Sequence, residues 1–300
     1  MIAKHYHTGY RAFLALLIFI SVSDVRAQFR PFDNSRTTAP WIYNPSTSFT
    51  DKTQGYIGYD GRGSTSLTPQ TLIAGFRIPV LYSGRDRRRP AAMAGMQYMS
   101  MMQDIVNSSV VNATFAYEVP LSRRVRASLG FGGGISTVKY NYENLVYLDT
   151  SDPLLGNGVN FFDIHLNAGI SMTLDDRLTF SLAAPYLLKE DKLNLREVIA
   201  RTSYRAVLTD ELSLLVGANL DTYNRNTIVG GDVRLEWIKS FSVLAGADNF
   251  KFYSGVAVSV EYLTIGYTYG YNYSKLFSNF SNNQVMLIFG PPKRSGTRRR

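Results

Sequence analysis

The residue types that most often perform catalysis are scarce in this chain. It contains no cysteine and three histidines, and only His165 lies beyond the first ten residues. Cysteine nucleophiles and the usual zinc-ligand sets are therefore excluded. One enzymatic hypothesis remains, a lipid hydrolase in which His165, with Asn167 on the same strand face, activates a serine from a neighbouring strand. An ordinary hydrogen-bonded histidine explains the pattern better, because alternation alone places nearby polar residues on one face. We predict a non-enzymatic protein without a cofactor or metal site.

A second candidate for chemistry is the glycine-rich segment 129–134. A phosphate-binding loop would need a following helix and a Lys-Ser/Thr pair, and neither follows. Gly130, Gly132 and Gly134 share one face of an alternating segment instead. Glycines on one strand face fit a crowded interior or tight curvature.

Segment 263–273 shows which kind of element carries these residues. Its apolar residues, from Leu263 to Tyr273, alternate with threonine, glycine and asparagine. Period two predicts a strand with one apolar and one polar face. A tilted strand of about 9–11 residues crosses a bilayer. In segment 226–237 the second face is charged, and a basic residue facing lipid at mid-depth costs about 2–4 kcal/mol. We therefore predict that the second face lines a polar lumen.

The N-terminus has the features of an export signal. Lys4 and Arg11 precede an apolar run over 12–22, and Val25-Arg26-Ala27 is a small-x-small cleavage site. These features predict cleavage after Ala27. After this point no apolar run approaches the roughly 18–20 residues of a membrane helix.

The alternating pattern covers most of the remaining chain. It predicts an all-β fold, a transmembrane antiparallel β-barrel of about fourteen strands in the outer membrane. A mean hydropathy of −0.10 is compatible with this, because lipid-facing and lumen-facing residues cancel. Twelve strands is the alternative, because strand ends are hard to place from sequence. The predicted strands are 53–61, 69–80, 90–102, 107–119, 124–140, 159–174, 176–187, 200–209, 211–222, 226–237, 239–249, 251–262, 263–273 and 280–289.

The chain divides into four predicted parts. Residues 1–27 form the signal peptide, and residues 52–289 form the barrel in contact with outer-membrane lipid. Between them, residues 28–51 have poor periodicity and contain Pro31, Pro40 and Pro45. We interpret this segment as an N-terminal lead or as a plug of the lumen. Residues 290–300 form a basic tail.

Connection lengths orient the predicted barrel. With both of its ends in the periplasm, the outer connections 141–158, 188–199 and 274–279 are long and polar. The inner turns, such as 175–176 and 238–240, are short. Long outer loops and short periplasmic turns are typical of this class.

The basic residues concentrate on the predicted periplasmic side. The formal charge is +9, or +7 without the signal peptide, and five cations lie in the tail. A concentrated basic surface attracts anionic partners. For an exported protein we predict an acidic periplasmic protein or anionic lipid headgroups rather than nucleic acid; the tail alone also fits a solvated segment. The predicted docking residues are Arg85, Arg87, Arg88, Arg89, Arg123, Arg124, Lys293, Arg294, Arg298, Arg299 and Arg300.

Several segments, in order and spacing, resemble the PorP/SprF family, outer-membrane proteins of the type IX secretion system of Bacteroidetes. The best match is Ile265–Tyr271, similar to an Ile-Gly-Tyr-x-Tyr-Asp-Tyr signature, with Gly270 in place of the aspartate. The others are Ile42-Tyr43-Asn44-Pro45, Thr68-Pro69-Gln70-Thr71-Leu72 with Ile78-Pro79, Ala116–Leu121, Leu129–Gly132, Asp149 with Asp152-Pro153, and Gln284–Leu287.

The resemblance implies a non-enzymatic secretion component. Family members support secretion or surface attachment of large cargo proteins or adhesins, a function linked to gliding motility, and associate with periplasmic ring and motor proteins. Phe289 would be the C-terminal aromatic recognised in barrel assembly, with the basic tail as an addition. The alternative function is a porin-like channel for a small hydrophilic solute.

Overall fold

The computed structural model describes most of the predicted barrel. The described residues are 39–47, 49, 52–62, 70–82, 90–103, 106–140, 160–189, 192–193, 197–223, 226–238, 240–273 and 281–290. The predicted signal peptide, the start of the lead and the basic tail beyond residue 290 lie outside them. Within the described ranges, no helix is long and apolar enough to cross a membrane.

Fourteen long strands and one two-residue strand make up the described fold. Each long strand overlaps one predicted strand, and no end differs from the prediction by more than two residues. The short strand β8 was not predicted; it pairs antiparallel with the end of β7 and forms a hairpin with it. The strands are β1 Gln54–Arg62, β2 Gln70–Tyr82, β3 Pro90–Gln103, β4 Val106–Pro120, β5 Val125–Tyr140, β6 Asn160–Leu174, β7 Leu178–Lys189, β8 Lys192–Leu193, β9 Val198–Val207, β10 Leu212–Tyr223, β11 Asn226–Trp237, β12 Phe241–Asp248, β13 Lys251–Val260, β14 Leu263–Asn272 and β15 Asn282–Phe289.

The long strands close into a barrel. Each pairs antiparallel with its neighbours in the chain, and β7 pairs directly with β9. The ring closes between the first and last strands, where Gly55 lies opposite Phe289 and Arg62 lies opposite Asn282. Closure gives every long strand a partner on both sides, as a bilayer requires.

The two ends of the barrel differ in their connections. One end carries the tight turns 121–124, 175–177 and 208–211, together with the start of β1 and the end of β15; we call it the turn end and the opposite end the loop end. Asp175 and Asp176 have φ of 50° and 58°. Aspartate tolerates this left-handed region, which lets β6 reverse directly into β7.

The alternation predicted from sequence is the alternation of exposure. On β14, Tyr267, Tyr269 and Tyr271 are exposed on the outer wall, whereas Thr268 and Asn272 are buried inside. Apolar side chains thus cover the outside, and polar side chains line the lumen. The prediction of a polar lumen is confirmed.

The wall has one marked irregularity, in β7. Ala184 pairs with Ala168 and Leu188 pairs with Leu166, so three residues of β7 oppose one residue of β6. The bulge contains Pro185, which has no N–H to give to a ladder. Pairing of β7 with β9 ends just before it, at Ala183.

Candidate functional site

The candidate site is the lumen, which the lead enters as two 3-10 helices, η1 Pro40–Ile42 and η2 Pro45–Thr47. Asn44 organises the second: its Oδ1 accepts hydrogen bonds from the backbone N of Ser46 at 3.0 Å and from Ser46 Oγ at 2.7 Å. Pro45 opens the turn, where a missing N–H is not needed. Asn-Pro-Ser therefore satisfies its own polar groups while Asn44 and Ser46 are only 5% and 1% exposed.

The wall provides matching donors for this turn. Ser128 on β5 donates its hydroxyl to the carbonyl oxygen of Ser46 at 2.9 Å. The hydroxyl of Ser171 on β6 lies 3.3 Å from the same oxygen. The buried carbonyl oxygen of the turn thus has a hydroxyl from each of two neighbouring strands within reach.

Two glycines make room for the turn. A Cβ on Gly130 would lie 2.2 Å from the backbone N of Ser46, and a Cβ on Gly169 would lie 2.1 Å from Oδ1 of Asn44. Both distances are far below van der Waals contact. We call Ser128, Gly130, Gly169 and Ser171 the seat, because only glycine at the two central positions leaves space for Asn44–Ser46.

A cation holds the other end of the described lead. The guanidinium of Arg77 on β2 lies 3.5 Å from the ring centroid of Trp41. Tyr56 on β1 meets the same indole edge-on, at 6.0 Å between centroids. Gln54 Oε1 accepts hydrogen bonds from the guanidinium, with Nε at 3.1 Å. Cation–π contacts of this kind are worth more when desolvated, and Arg77 is 6% exposed.

Apolar packing surrounds this contact. Ala39 and Ile42 are 2% and 7% exposed. They belong to a buried cluster with inward side chains of β1–β4 and β15, which are Tyr56, Ile73, Met99, Val110 and Met286.

The strands β9–β11 present charges to the lumen instead. Arg201 contacts Asp232 through Nη1–Oδ2 at 2.8 Å and through an Nη2–Oδ1 hydrogen bond at 2.9 Å. Glu236 accepts a hydrogen bond from Arg205 at 2.6 Å and lies 3.3 Å from Nε of Arg234. These oppositely charged side chains offset one another's charge within the lumen wall.

Beyond the charges, the lumen wall is mixed in character. A cavity over β11–β15 is lined by polar groups such as Arg234, Ser242 and Thr268 and by apolar side chains that include Leu244 and Met286. The lead therefore fills one part of the lumen, whereas ion pairs and mixed side chains line another.

The family match covers most of the same residues. The family model described as type IX secretion system membrane protein PorP/SprF matches residues 38–290. The chain belongs to the PorP/SprF family. The match begins immediately before Ala39, so it includes the part of the lead inside the lumen as well as all the strands.

Solved structures similar to this PorP/SprF protein are outer-membrane channels. The CymD monoaromatic hydrocarbon channel has a TM-score of 0.52 at 8% identity over 83% of this chain and 91% of its own. The P. putida toluene transporter TodX has a TM-score of 0.50 at 7% identity over 83% and 92%. At such identity the likeness shows the barrel fold alone. No curated protein sequence matches the chain.

His165 lies inside the PorP/SprF barrel, away from lipid. It is 1% exposed, its Nε2 lies 2.5 Å from Oδ1 of Asn112 on β4, and its ring stacks obliquely on Tyr186 at 5.3 Å. Asn167 faces the same lumen. A lipid hydrolase would need its base within reach of the outer wall, and this geometry instead fits the hydrogen-bonded histidine of the alternative interpretation.

The predicted docking residues fall partly outside the described chain. Arg85, Arg87, Arg88 and Arg89 and the five cations of the tail lie there. Arg123 and Arg124 are exposed in the tight turn between β4 and β5. Nε of Arg124 lies 3.8 Å from the carboxylate of Asp175 in the neighbouring turn. The described part of the turn end therefore carries both signs of charge.

Phe289 ends the last strand at the turn end. It lies opposite Gly55 on one side and Leu263 on the other, with its ring exposed on the outer wall. This position suits the predicted role in barrel assembly, which stays a prediction.

The seat and the Trp41–Arg77 contact were not predicted. Gly130 was noted as fitting a crowded interior, but its partner lies more than eighty residues earlier in the chain. The sequence contained two separate hints, the aperiodic lead with its prolines and the glycines on one face of β5, but nothing in it linked them.

Proposed function

We propose that this PorP/SprF protein is a non-enzymatic outer-membrane component of the type IX secretion system, which supports secretion or surface attachment of large cargo proteins. The family match over 38–290 is the observation that carries this proposal. The proposal goes one step beyond membership of a family of membrane proteins, because it gives this chain a role in the secretion machinery.

The lumen supports a role other than that of conduit for cargo. Barrel width follows strand number, and fourteen strands lie between barrels filled by side chains and open porins. Here Ala39–Thr47 occupies part of this interior, and ion pairs line another part. We infer that cargo is handled at the surfaces of the barrel, not through it.

The turn end is the surface that we propose for docking the periplasmic ring and motor proteins. Arg123 and Arg124 are exposed there, and the predicted clusters Arg85–Arg89 and Lys293–Arg300 belong to the same end in the predicted orientation. Exposed cations attract an acidic partner surface, and the interaction weakens as salt screens it.

The test is co-purification from gently solubilised outer membrane, with a tag in the connection 141–159. Recovery of periplasmic ring proteins or a large surface adhesin supports the proposal. Reversing charge with Arg123→Glu and Arg124→Glu, together with the 85–89 cluster, should lower recovery of periplasmic partners. Lys139→Glu is the matched control, because Lys139 is exposed on β5 near the loop end. Unchanged recovery in the turn-end variant would contradict docking through these cations.

The second candidate function is a channel for a small hydrophilic solute. The observation that favours it is the part of the lumen wall that carries the ion pairs of β9 and β11. Purification as a lone barrel that conducts ions in planar bilayers would shift the conclusion to this function.

A further inference from the structure

The described lead has the features of a separate body inside a finished barrel. Its backbone forms no ladder with any strand; the wall holds it through side-chain hydroxyls, one cation–π contact and apolar packing. The strands close into a ring without it. Removing the lead therefore costs the wall no backbone hydrogen bond, which would otherwise be an expensive loss in a membrane.

The main contacts of the described lead come from β1–β7 and β15. Helix η2 contacts β4–β7, Trp41 contacts β1 and β2, and the apolar cluster adds Met286 of β15. The opposite strands, β9–β11, keep their charges paired with one another. The ion pairs on these strands do not need the lead to be satisfied, so its departure would leave that wall intact and open to water.

The attachment point of the lead sets the direction in which it could leave. Thr47 lies seven positions before Gln54, the first residue of β1 at the turn end. Seven residues span at most about 25 Å when extended. The lead is therefore tethered at the turn end, and we take this end as the one toward which it withdraws.

We propose that Ala39–Thr47 is a displaceable plug that closes the lumen when seated on Ser128, Gly130, Gly169 and Ser171, and that its withdrawal toward the turn end opens a path for water and small ions. The plug withdraws at the same end as the proposed docking surface, so a partner bound there could bias it. The gating itself does not depend on that partner.

The first test is ion conductance of the purified full chain in planar bilayers. In Gly169→Ala, the new methyl group overlaps Asn44, and overpacking of this kind should raise the open fraction about tenfold or more. Gly55→Ala is the matched control: it adds a methyl to the outer face of β1, where the nearest atom, the backbone oxygen of Gly75, lies at 3.8 Å, and it should leave conductance at the wild-type level. Equal conductance of both variants and wild type would overturn the proposal.

The second test uses the absence of cysteine from the chain. A Cβ at position 169 would lie 3.0 Å from Cγ of Asn44, so Asn44→Cys combined with Gly169→Cys places two thiols within bonding reach. The oxidised protein should conduct few ions, and adding reductant to the same sample should increase its conductance. Conductance that ignores reductant, with the disulfide shown by gel mobility, would contradict a gate.

A third variant guards against failure of the wall variants to fold. Trp41→Ala removes the contact with Arg77 without adding bulk to any strand, and it should also raise the open fraction. The conductance of all these variants is measured without secretion partners. If the variants conduct like wild type while periplasmic partners still co-purify, the plug is rejected and the docking function stands. If the variants gate as expected but no partner co-purifies, the docking function is rejected and the plug stands.

Discussion

The two halves of the lumen solve the problem of a polar interior in different ways. Strands β1–β7 present glycines, hydroxyls and apolar side chains that need the lead to fill and satisfy them. Strands β9 and β11 present charges that pair with one another across the intervening strand β10. The first half is complete only with a segment from elsewhere in the chain, whereas the second is complete within the wall. The comparison indicates that stability resides in the charged half and adjustability in the seated half.

The largest effect is expected from breaking the buried pair of the charged half. Asp232 has no exposed side-chain surface and Arg201 has 10%. Asp232→Ala leaves the guanidinium without its main partner, and such losses cost about 3–5 kcal/mol. We expect a fall of about 3 kcal/mol in the unfolding free energy, measured by urea titration in lipid vesicles.

A double variant separates pairing from burial in that experiment. Arg201→Met with Asp232→Leu removes both charges at similar volume and should recover most of the loss, because apolar replacements of a buried pair are often neutral. A double variant as unstable as Asp232→Ala would show that the charged half needs its charges for another reason.

The second prediction compares a glycine from each half. In Gly217→Ala the new Cβ would lie 2.4 Å from Nη2 of Arg201 and 2.9 Å from Oδ1 of Asp232, so the ion pair must shift. Overpacking costs about 1–3 kcal/mol. In Gly130→Ala the clash is with the backbone of the lead, which can leave. We expect Gly217→Ala to lower the unfolding free energy by about 2 kcal/mol with unchanged conductance. Gly130→Ala should lower the unfolding free energy less than Gly217→Ala and raise conductance more. If Gly130→Ala were the more destabilising variant and Gly217→Ala the more conductive one, the proposed difference between the two halves would be wrong.

The strands of the barrel were predicted well from sequence, whereas the contacts that form the candidate site were not. Each strand has lipid on one side and the lumen on the other, so period two runs along its length and places its ends to within two residues, as in β7 Leu178–Lys189, or without error, as in β11 Asn226–Trp237. The lead obeys no period, and its contacts are long-range: Ser128 bonds a carbonyl 82 residues earlier. Nothing local in Gly169 or Arg77 identifies a partner on the lead. Likewise, Arg124 was counted as a free cation, because its carboxylate neighbour belongs to the next hairpin.

The third prediction uses the two tryptophans as reporters of the two environments. Trp41 lies in the lumen beside Arg77, and Trp237 is 55% exposed on the outer wall. In a Trp237→Phe background, acrylamide in water should quench Trp41 weakly while the lead is seated. Adding Gly169→Ala should increase quenching clearly. The converse background, Trp41→Phe, keeps only the lipid-facing ring, and its quenching should be the same with and without Gly169→Ala.

The fourth prediction concerns the hydroxyls of the seat and has the smallest expected effect. Each hydroxyl has one proton, and the Ser128 and Ser171 oxygens lie 2.5 Å apart. Ser128 at 2.9 Å is the better donor to Ser46 than Ser171 at 3.3 Å, so Ser171 gives its proton to Ser128.

In Ser128→Ala, the Ser171 hydroxyl no longer donates to Ser128 and can donate to the Ser46 carbonyl instead. We therefore expect the seated state of the plug to lose only about 0.5 kcal/mol, the lower end of the roughly 0.5–1.5 kcal/mol that a hydrogen bond usually contributes. In Ser171→Ala the bond from Ser128 remains. The double variant leaves the buried carbonyl without either donor, so its cost should exceed the sum of the two single costs. The open fraction in planar bilayers measures all three on one scale. Strict additivity would mean that the two hydroxyls act independently, and the seat would then be two separate contacts rather than one shared acceptor site.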